Sequence, residues 1–152
     1  MKQQSYSVPR YTVRLVREKT VRYRATSPSA IVPLMRHLCC ERNDREVMAV
    51  LYLDANCNVV GAEIAAVGGA GACVIDVRSL IRGAILAGAH AIILGHNHPS
   101  GDPTPSREDV AMTAAVQRAC DAVGILLADH VIVCEHGENS SMLERGLLGG
   151  AS

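Results

Sequence analysis

Two histidines and an aspartate lie close together in the middle of the chain. His96 and His98 follow the apolar run Ala91–Leu94, and Asp109 comes eleven residues after His98. When an extended chain continues through the histidines, both imidazoles lie on one face, with Cα atoms about 6.5 Å apart. Two imidazoles and one carboxylate make a three-ligand zinc set, which leaves a fourth tetrahedral position for water. The pattern therefore predicts a metal site that activates water.

A loop must bring the aspartate back towards the histidines. The stretch 99–105 contains three prolines and a glycine, which exclude a regular element and favour a rigid loop. Ser106 is then predicted to begin a helix. Ser106 and Asp109 also have the spacing of a capping box, so helix initiation alone accounts for that pair. The histidines alone are compatible with core residues at a strand end, and only the combined pattern favours a metal.

The elements that position these residues alternate between strands and helices. Ser27 and Pro28 are typical of a helix N-cap and first turn, and this helix is predicted to end near Asn43. A tight turn at 56–58 predicts a hairpin. Apolar periodicity predicts the other elements. These are strands at Val47–Asp54, Val59–Val67, Ala91–Leu94 and Ile125–Cys134, helices at Val77–Ala89 and Val110–Val123, and a short helix or strand at Ser141–Leu148.

Charge is distributed unevenly along the 152 residues, of which 49% are apolar. Residues 1–45 contain ten Lys and Arg against three acidic residues, whereas the remainder contains five basic and twelve acidic residues. We interpret 1–26 as a basic N-terminal arm or strand pair, and 27–152 as the domain that holds the metal. The arm predicts weak, non-specific contact with nucleic acid. A solvated charged arm is the alternative.

The metal pattern resembles that of a known family. His96-x-His98, seven residues, Ser106, two residues and Asp109 match the JAMM motif of the MPN-type metallopeptidases, and the intervening residues resemble the bacterial RadC family. The resemblance extends from about Ser27 to Leu148. It implies an α/β fold with three α/β/α layers, deaminase-like, around a mixed central sheet. It also implies one zinc ion per chain, held by His96, His98 and Asp109.

The resemblance further implies a catalytic glutamate, which by position is Glu46. From the residues alone, a solvated carboxylate at a helix–strand boundary is the favoured interpretation of Glu46, and Glu63 and Glu108 compete for the catalytic role. Acting as general base, Glu46 accepts a proton from metal-bound water and returns it to the leaving amine. Ser106 is predicted to donate a hydrogen bond to the developing oxyanion. His130 is either a partner of a ligand or a core histidine, and the core interpretation is favoured.

Taken together, these features predict a zinc-dependent metallopeptidase or isopeptidase that hydrolyses an amide bond in a peptide or protein. The alternative is a non-enzymatic, DNA-associated accessory module that retains the metal site. Full-length RadC proteins carry a helix-hairpin-helix region, which we expect this chain to lack. A nucleobase deaminase is disfavoured because the sequence has no Pro-Cys-x-x-Cys, which that class requires together with His-x-Glu.

The compartment follows from what the sequence lacks. No basic segment followed by an apolar core resembles a secretory signal, and the uncharged stretches are too short and rich in glycine to span a membrane. The six cysteines form no Cys-x-x-Cys pair, so we expect reduced thiols. These observations predict a cytoplasmic protein without membrane contact.

Overall fold

The computed structural model describes residues 23–41, 44–68 and 74–149. Most of the predicted basic arm, residues 1–22, therefore lies outside the described residues. The described elements follow one another as helices and strands in the order expected from the sequence. They are α1 (Pro28–Cys39), β1 (Val47–Leu53), β2 (Val59–Val67), α2 (Val77–Leu86), β3 (Ala91–Asn97), α3 (Arg107–Ala122), β4 (Leu126–Val133) and β5 (Asn139–Ser141).

The five strands form one mixed sheet in the order β2-β1-β3-β4-β5. β3 and β4 are parallel, whereas the other neighbouring pairs are antiparallel. The connection from β2 to β3 passes through α2, and that from β3 to β4 passes through α3. The predicted α/β class with a mixed central sheet is confirmed.

Helices cover both faces of the sheet, which gives the three layers. Every residue of β1 is buried, as expected for a strand covered on both faces. Successive side chains of a strand point to opposite faces. The set packed with α1 is Val47, Ala49, Leu51 and Leu53. The set packed with α2 and α3 is Met48, Val50 and Tyr52.

Several element boundaries differ from the predictions, among them the end of α1 and the closing segment. α1 ends at Cys39, and not near Asn43, because Cys40 leaves the helical conformation while its N–H still bonds to the Arg36 carbonyl. The closing segment is a strand only as far as Ser141, and residues 142–146 form turns. The Asp129 carboxylate holds those turns, since it accepts hydrogen bonds from the Ser141 hydroxyl and the Leu143 N–H.

Candidate metal centre

The two histidines stand at the carboxyl end of β3, which extends further than predicted. His96 lies on the face that packs against α2 and α3, the same face as Ile92 and Leu94. His98 follows two residues later, and its Nε2 lies 2.9 Å from the His96 Nε2. The strand therefore brings both imidazoles together on one face, as the period-two argument predicts.

Asp109 joins them from the first turn of α3. Its Oδ1 lies 3.2 Å from the His96 Nε2, and its Oδ2 lies 3.3 Å from the His98 Nε2. The same carboxylate accepts the Ser106 N–H at 2.8 Å, while the Asp109 N–H donates to the Ser106 hydroxyl at 3.0 Å. The capping box is thus present, and it coexists with the ligand cluster. The cap holds Asp109 in the orientation that faces the imidazoles.

The donor atoms fit a divalent cation of the zinc type. One ligand atom from each of His96, His98 and Asp109 lies within 4.8 Å of the others, so the group can hold a metal ion. The His98 Nδ1 lies 2.7 Å from the Asp102 carbonyl. Because a carbonyl only accepts, that nitrogen carries a proton, and the Nε2 of a neutral His98 presents its lone pair to the centre.

Asp109 and the neighbouring histidines influence one another's protonation. Burial alone would raise the pKa of Asp109, but hydrogen bonds that His96 and His98 donate in their protonated form outweigh it and place this pKa well below its usual range. The hydrogen bond to Asp109 raises the pKa of His98. Asp109 is therefore ionised at neutral pH, which is the state that a metal ligand requires.

Glu46 lies immediately before β1, across from the carboxyl end of β3. Met48 pairs with His96 in the antiparallel register of β1 and β3, and continuing that register places Glu46 opposite His98. The Asn97 side chain fixes this approach. Its Oδ1 accepts the Val47 N–H at 2.7 Å, and its amide group donates to the Arg45 carbonyl at 3.0 Å. The buried Asn97 amide thus forms hydrogen bonds with the backbone on both sides of Glu46.

These groups share one cavity of about 280 Å³. All five predicted site residues line it, namely Glu46, His96, His98, Ser106 and Asp109. Of the two competing glutamates, Glu108 also lines this cavity, whereas Glu63 lies on β2 beside Tyr52. Met48 and Met112 add apolar wall, as is usual in a small-molecule or peptide pocket. The structure therefore leaves two glutamates, and not three, near the ligand cluster.

His130 is the residue for which the favoured sequence interpretation was incomplete. It is fully buried, as a core histidine is, but its Nε2 also lies 2.7 Å from the His96 Nδ1. Burial places the pKa of His130 well below its usual value, which keeps it neutral. Thr113, which the sequence analysis did not single out, contacts the His130 Nδ1 at 2.6 Å. Its position one helical turn after Asp109 was the available signal.

None of the helices in the described part of the chain is long and apolar enough to cross a membrane.

Comparisons with known proteins agree with the motif. A family model described as the RadC-like JAB domain matches residues 25–147. A UPF0758 protein of Carboxydothermus hydrogenoformans is 37% identical over 119 residues, which cover 78% of this chain and 52% of that protein. A UPF0758 protein of Thermotoga maritima is 44% identical over 94 residues, covering 62% of this chain and 42% of that protein.

A third relative extends the match along the chain. The UPF0758 protein of Salinibacter ruber is 35% identical over 136 residues, covering 87% of this chain and 56% of that protein. The chain thus spans about half the length of these curated relatives. Since the family match covers most of the 152 residues, the chain belongs to the RadC-like JAB domain family.

Proposed function

We propose that this domain is a zinc-dependent metallohydrolase that cleaves amide bonds in a peptide or protein. The observation that carries the proposal is the convergence of three ligand atoms, from His96, His98 and Asp109, within 4.8 Å in a cavity that Glu46 also lines. Three protein ligands leave an open coordination position, which is the arrangement of catalytic rather than structural zinc.

Each residue then has a defined task. A zinc ion bound at the three ligands would polarise the scissile carbonyl and lower the pKa of a coordinated water to about 7. Glu46 accepts the proton of the attacking water and delivers it to the leaving nitrogen. The Ser106 oxygen already accepts the Asp109 N–H, so its own hydroxyl proton is available to donate to the substrate carbonyl oxygen.

The first test compares the two glutamates that line the cavity. Glu46→Gln keeps the shape of the side chain but removes the basic oxygen, so hydrolysis should fall by at least about 10²-fold, while bound zinc stays near one ion per chain. Glu108→Gln is the matched control, and it should retain most of the activity. Zinc is measured by elemental analysis of the purified protein, and cleavage by mass spectrometry of a randomised peptide library.

Three results would count against this assignment. Zinc lost from the Glu46→Gln protein would make Glu46 a ligand. Full activity in that protein together with inactivity of the Glu108→Gln protein would transfer the role to Glu108. A wild-type protein that binds no zinc and cleaves no member of the peptide library would refute the proposed hydrolase function.

The basic excess in residues 1–45 favours a second candidate, a DNA-associated accessory module that retains its metal. Counterion release makes the logarithm of the binding constant fall linearly with the logarithm of the salt concentration, and the slope is proportional to the number of neutralised phosphates. Deleting residues 1–22 should flatten this slope without removing zinc. Tight, sequence-selective binding of duplex DNA that survives in the Asp109→Ala protein would favour the module over the hydrolase.

A further inference from the structure

Behind the ligand His96 runs a buried chain of hydrogen bonds that the proposed hydrolysis does not use. The His96 Nδ1 lies 2.7 Å from the His130 Nε2, and the His130 Nδ1 lies 2.6 Å from the Thr113 hydroxyl. The Thr113 hydroxyl donates to the main-chain carbonyl of Asp109 at 2.6 Å. The series thus begins on one metal ligand and ends on the backbone of another. We call the Thr113–His130 pair the relay.

The Asp109 carbonyl sets the direction in which the protons of this chain are donated. A carbonyl only accepts, so the single hydroxyl proton of Thr113 is used on Asp109, and the Thr113 oxygen accepts the Nδ1–H of His130. The Nε2 of a neutral His130 then accepts the Nδ1–H of His96. His96 is left with a lone pair on Nε2, the atom that faces Asp109 and His98.

The opposite arrangement has the same number of protons but cannot bind a metal through His96. In it, the Thr113 hydroxyl donates to the His130 Nδ1, and the His130 Nε2–H donates to the His96 Nδ1. The proton of His96 then sits on Nε2, where it faces the Asp109 Oδ1 at 3.2 Å. The two arrangements place three protons on the same five atoms, and they differ only in direction.

We propose that Thr113 and His130 are positioning residues, which hold His96 in its Nδ1-protonated tautomer and so keep Nε2 available to a metal. The second histidine offers a direct parallel, because the His98 Nδ1–H ends on the Asp102 carbonyl. Each of the two imidazoles is therefore connected by hydrogen bonds to a main-chain carbonyl. The connection is direct for His98 and passes through the side chains of His130 and Thr113 for His96. The inference depends on the proposed metal site and not on hydrolysis.

The fold contains specific features that build the relay. Thr113 follows Asp109 by one helical turn, the spacing at which a threonine hydroxyl reaches the carbonyl four residues earlier. In β4, Leu127 packs towards α2 and α3, whereas Val131, four residues later, packs towards α1. An irregularity in the β3–β4 register between them reverses the alternation and turns His130 towards α3.

Thr113→Val tests the relay because valine matches threonine in shape but has no hydroxyl. An Nδ1–H on His130 would then be buried without an acceptor, so the proton should move to the His130 Nε2 and drive His96 into the Nε2–H tautomer. Zinc affinity should fall about 10- to 100-fold, the usual effect of losing an outer partner of a ligand. Thr113→Ser keeps the hydroxyl and should bind zinc within about 3-fold of the wild type.

Two readouts decide the outcome. Zinc affinity is measured by competition with a chromophoric chelator, and the His96 tautomer by long-range ¹H–¹⁵N correlation spectra of the zinc-free protein above neutral pH. The spectra are recorded first on the wild type, so the proposal is tested even when Thr113→Val does not fold. An Nε2–H tautomer of His96 in the wild type overturns it, as does wild-type zinc affinity in a folded Thr113→Val protein.

The remaining outcomes separate this inference from the proposed function. A Thr113→Ser protein that is folded but binds zinc as weakly as Thr113→Val overturns the relay, since the hydroxyl would then be irrelevant. A Thr113→Val protein that loses stability but keeps the Nδ1–H tautomer assigns Thr113 to packing alone, and it also overturns the relay. A wild-type protein that binds no zinc refutes the metal site itself and the relay with it.

Discussion

The carboxylate of Asp109 caps α3 and is also the proposed metal ligand, and a set of three substitutions separates these two roles. Asp109→Ala removes the proposed ligand together with the half of the capping box that its carboxylate forms with the Ser106 N–H. Asp109→Asn keeps an oxygen that can accept the Ser106 N–H, so it preserves the cap while removing the anionic ligand. Ser106→Ala removes only the hydroxyl that accepts the Asp109 N–H at 3.0 Å. The three proteins therefore report capping and metal binding independently.

The magnitudes follow from the contacts. Loss of a capping side chain costs about 1 kcal/mol, and loss of an acidic group in the first turn costs about 0.3–1 kcal/mol more. Without zinc, Asp109→Ala should therefore unfold about 1–2 kcal/mol more easily than the wild type. Ser106→Ala should lose about 1 kcal/mol, and Asp109→Asn less than that. At a free zinc concentration of 100 times its Kd, the wild type should gain about 2.7 kcal/mol.

Urea unfolding with zinc or with a chelator is the assay. We expect the wild type and Ser106→Ala to gain the same stability from zinc, whereas both Asp109 variants gain little. An Asp109→Ala protein that gains as much stability from zinc as the wild type would refute the ligand role, because helix capping would then be the whole role of that residue. A Ser106→Ala protein that gains nothing from zinc would show that the cap is required for ligation.

Three further predictions concern the framework of the site. Asn97→Ala leaves the buried Val47 N–H unpaired and should cost about 2 kcal/mol in urea unfolding, with faster amide exchange at Val47, whereas Asn58→Ala at the hairpin turn should leave that amide unchanged. Gly95→Ala places a methyl group against the buried Met35 thioether and should cost about 1–3 kcal/mol by the same assay. The hydrogen bond from Asn58 lowers the pKa of Asp54, so Asp54 contributes stability above its unfolded pKa of about 3.9. The stability difference between the wild type and Asp54→Ala should therefore shrink as the pH of the unfolding series falls through the folded pKa.

The residues that could be predicted from the sequence are those whose information is local. The period of two placed His96 and His98 on one face, and the spacing of Ser106 and Asp109 predicted the cap that the structure contains. Strand and helix types followed from apolar periodicity. The end of α1 was not predicted in this way, and its last turn is tied to a distant part of the chain, since Arg36 donates to the carbonyls of Cys134 and Gly137, 98 and 101 residues away.

The parts that escaped prediction depend on pairing between distant strands. Asn97 looks like one more polar loop residue until the β1–β3 register places it beside the Val47 N–H. His130 looks like a core histidine because regular alternation along β4 does not indicate which face it occupies. Only the irregular β3–β4 register, which involves residues 34 positions apart in the chain, turns it towards His96.

The geometry of the site is set by the ends of regular elements and not by the loop between them. His96 belongs to β3, and Asp109 is fixed by a capped first turn of α3. The loop 99–105 contributes the Asp102 carbonyl, which fixes only the tautomer of His98. Rigid elements hold ligands more closely than loops do, so two of the three donor atoms keep their places when the loop changes. Variation in that loop is therefore expected to alter access to the cavity and the setting of His98, while His96 and Asp109 keep their places.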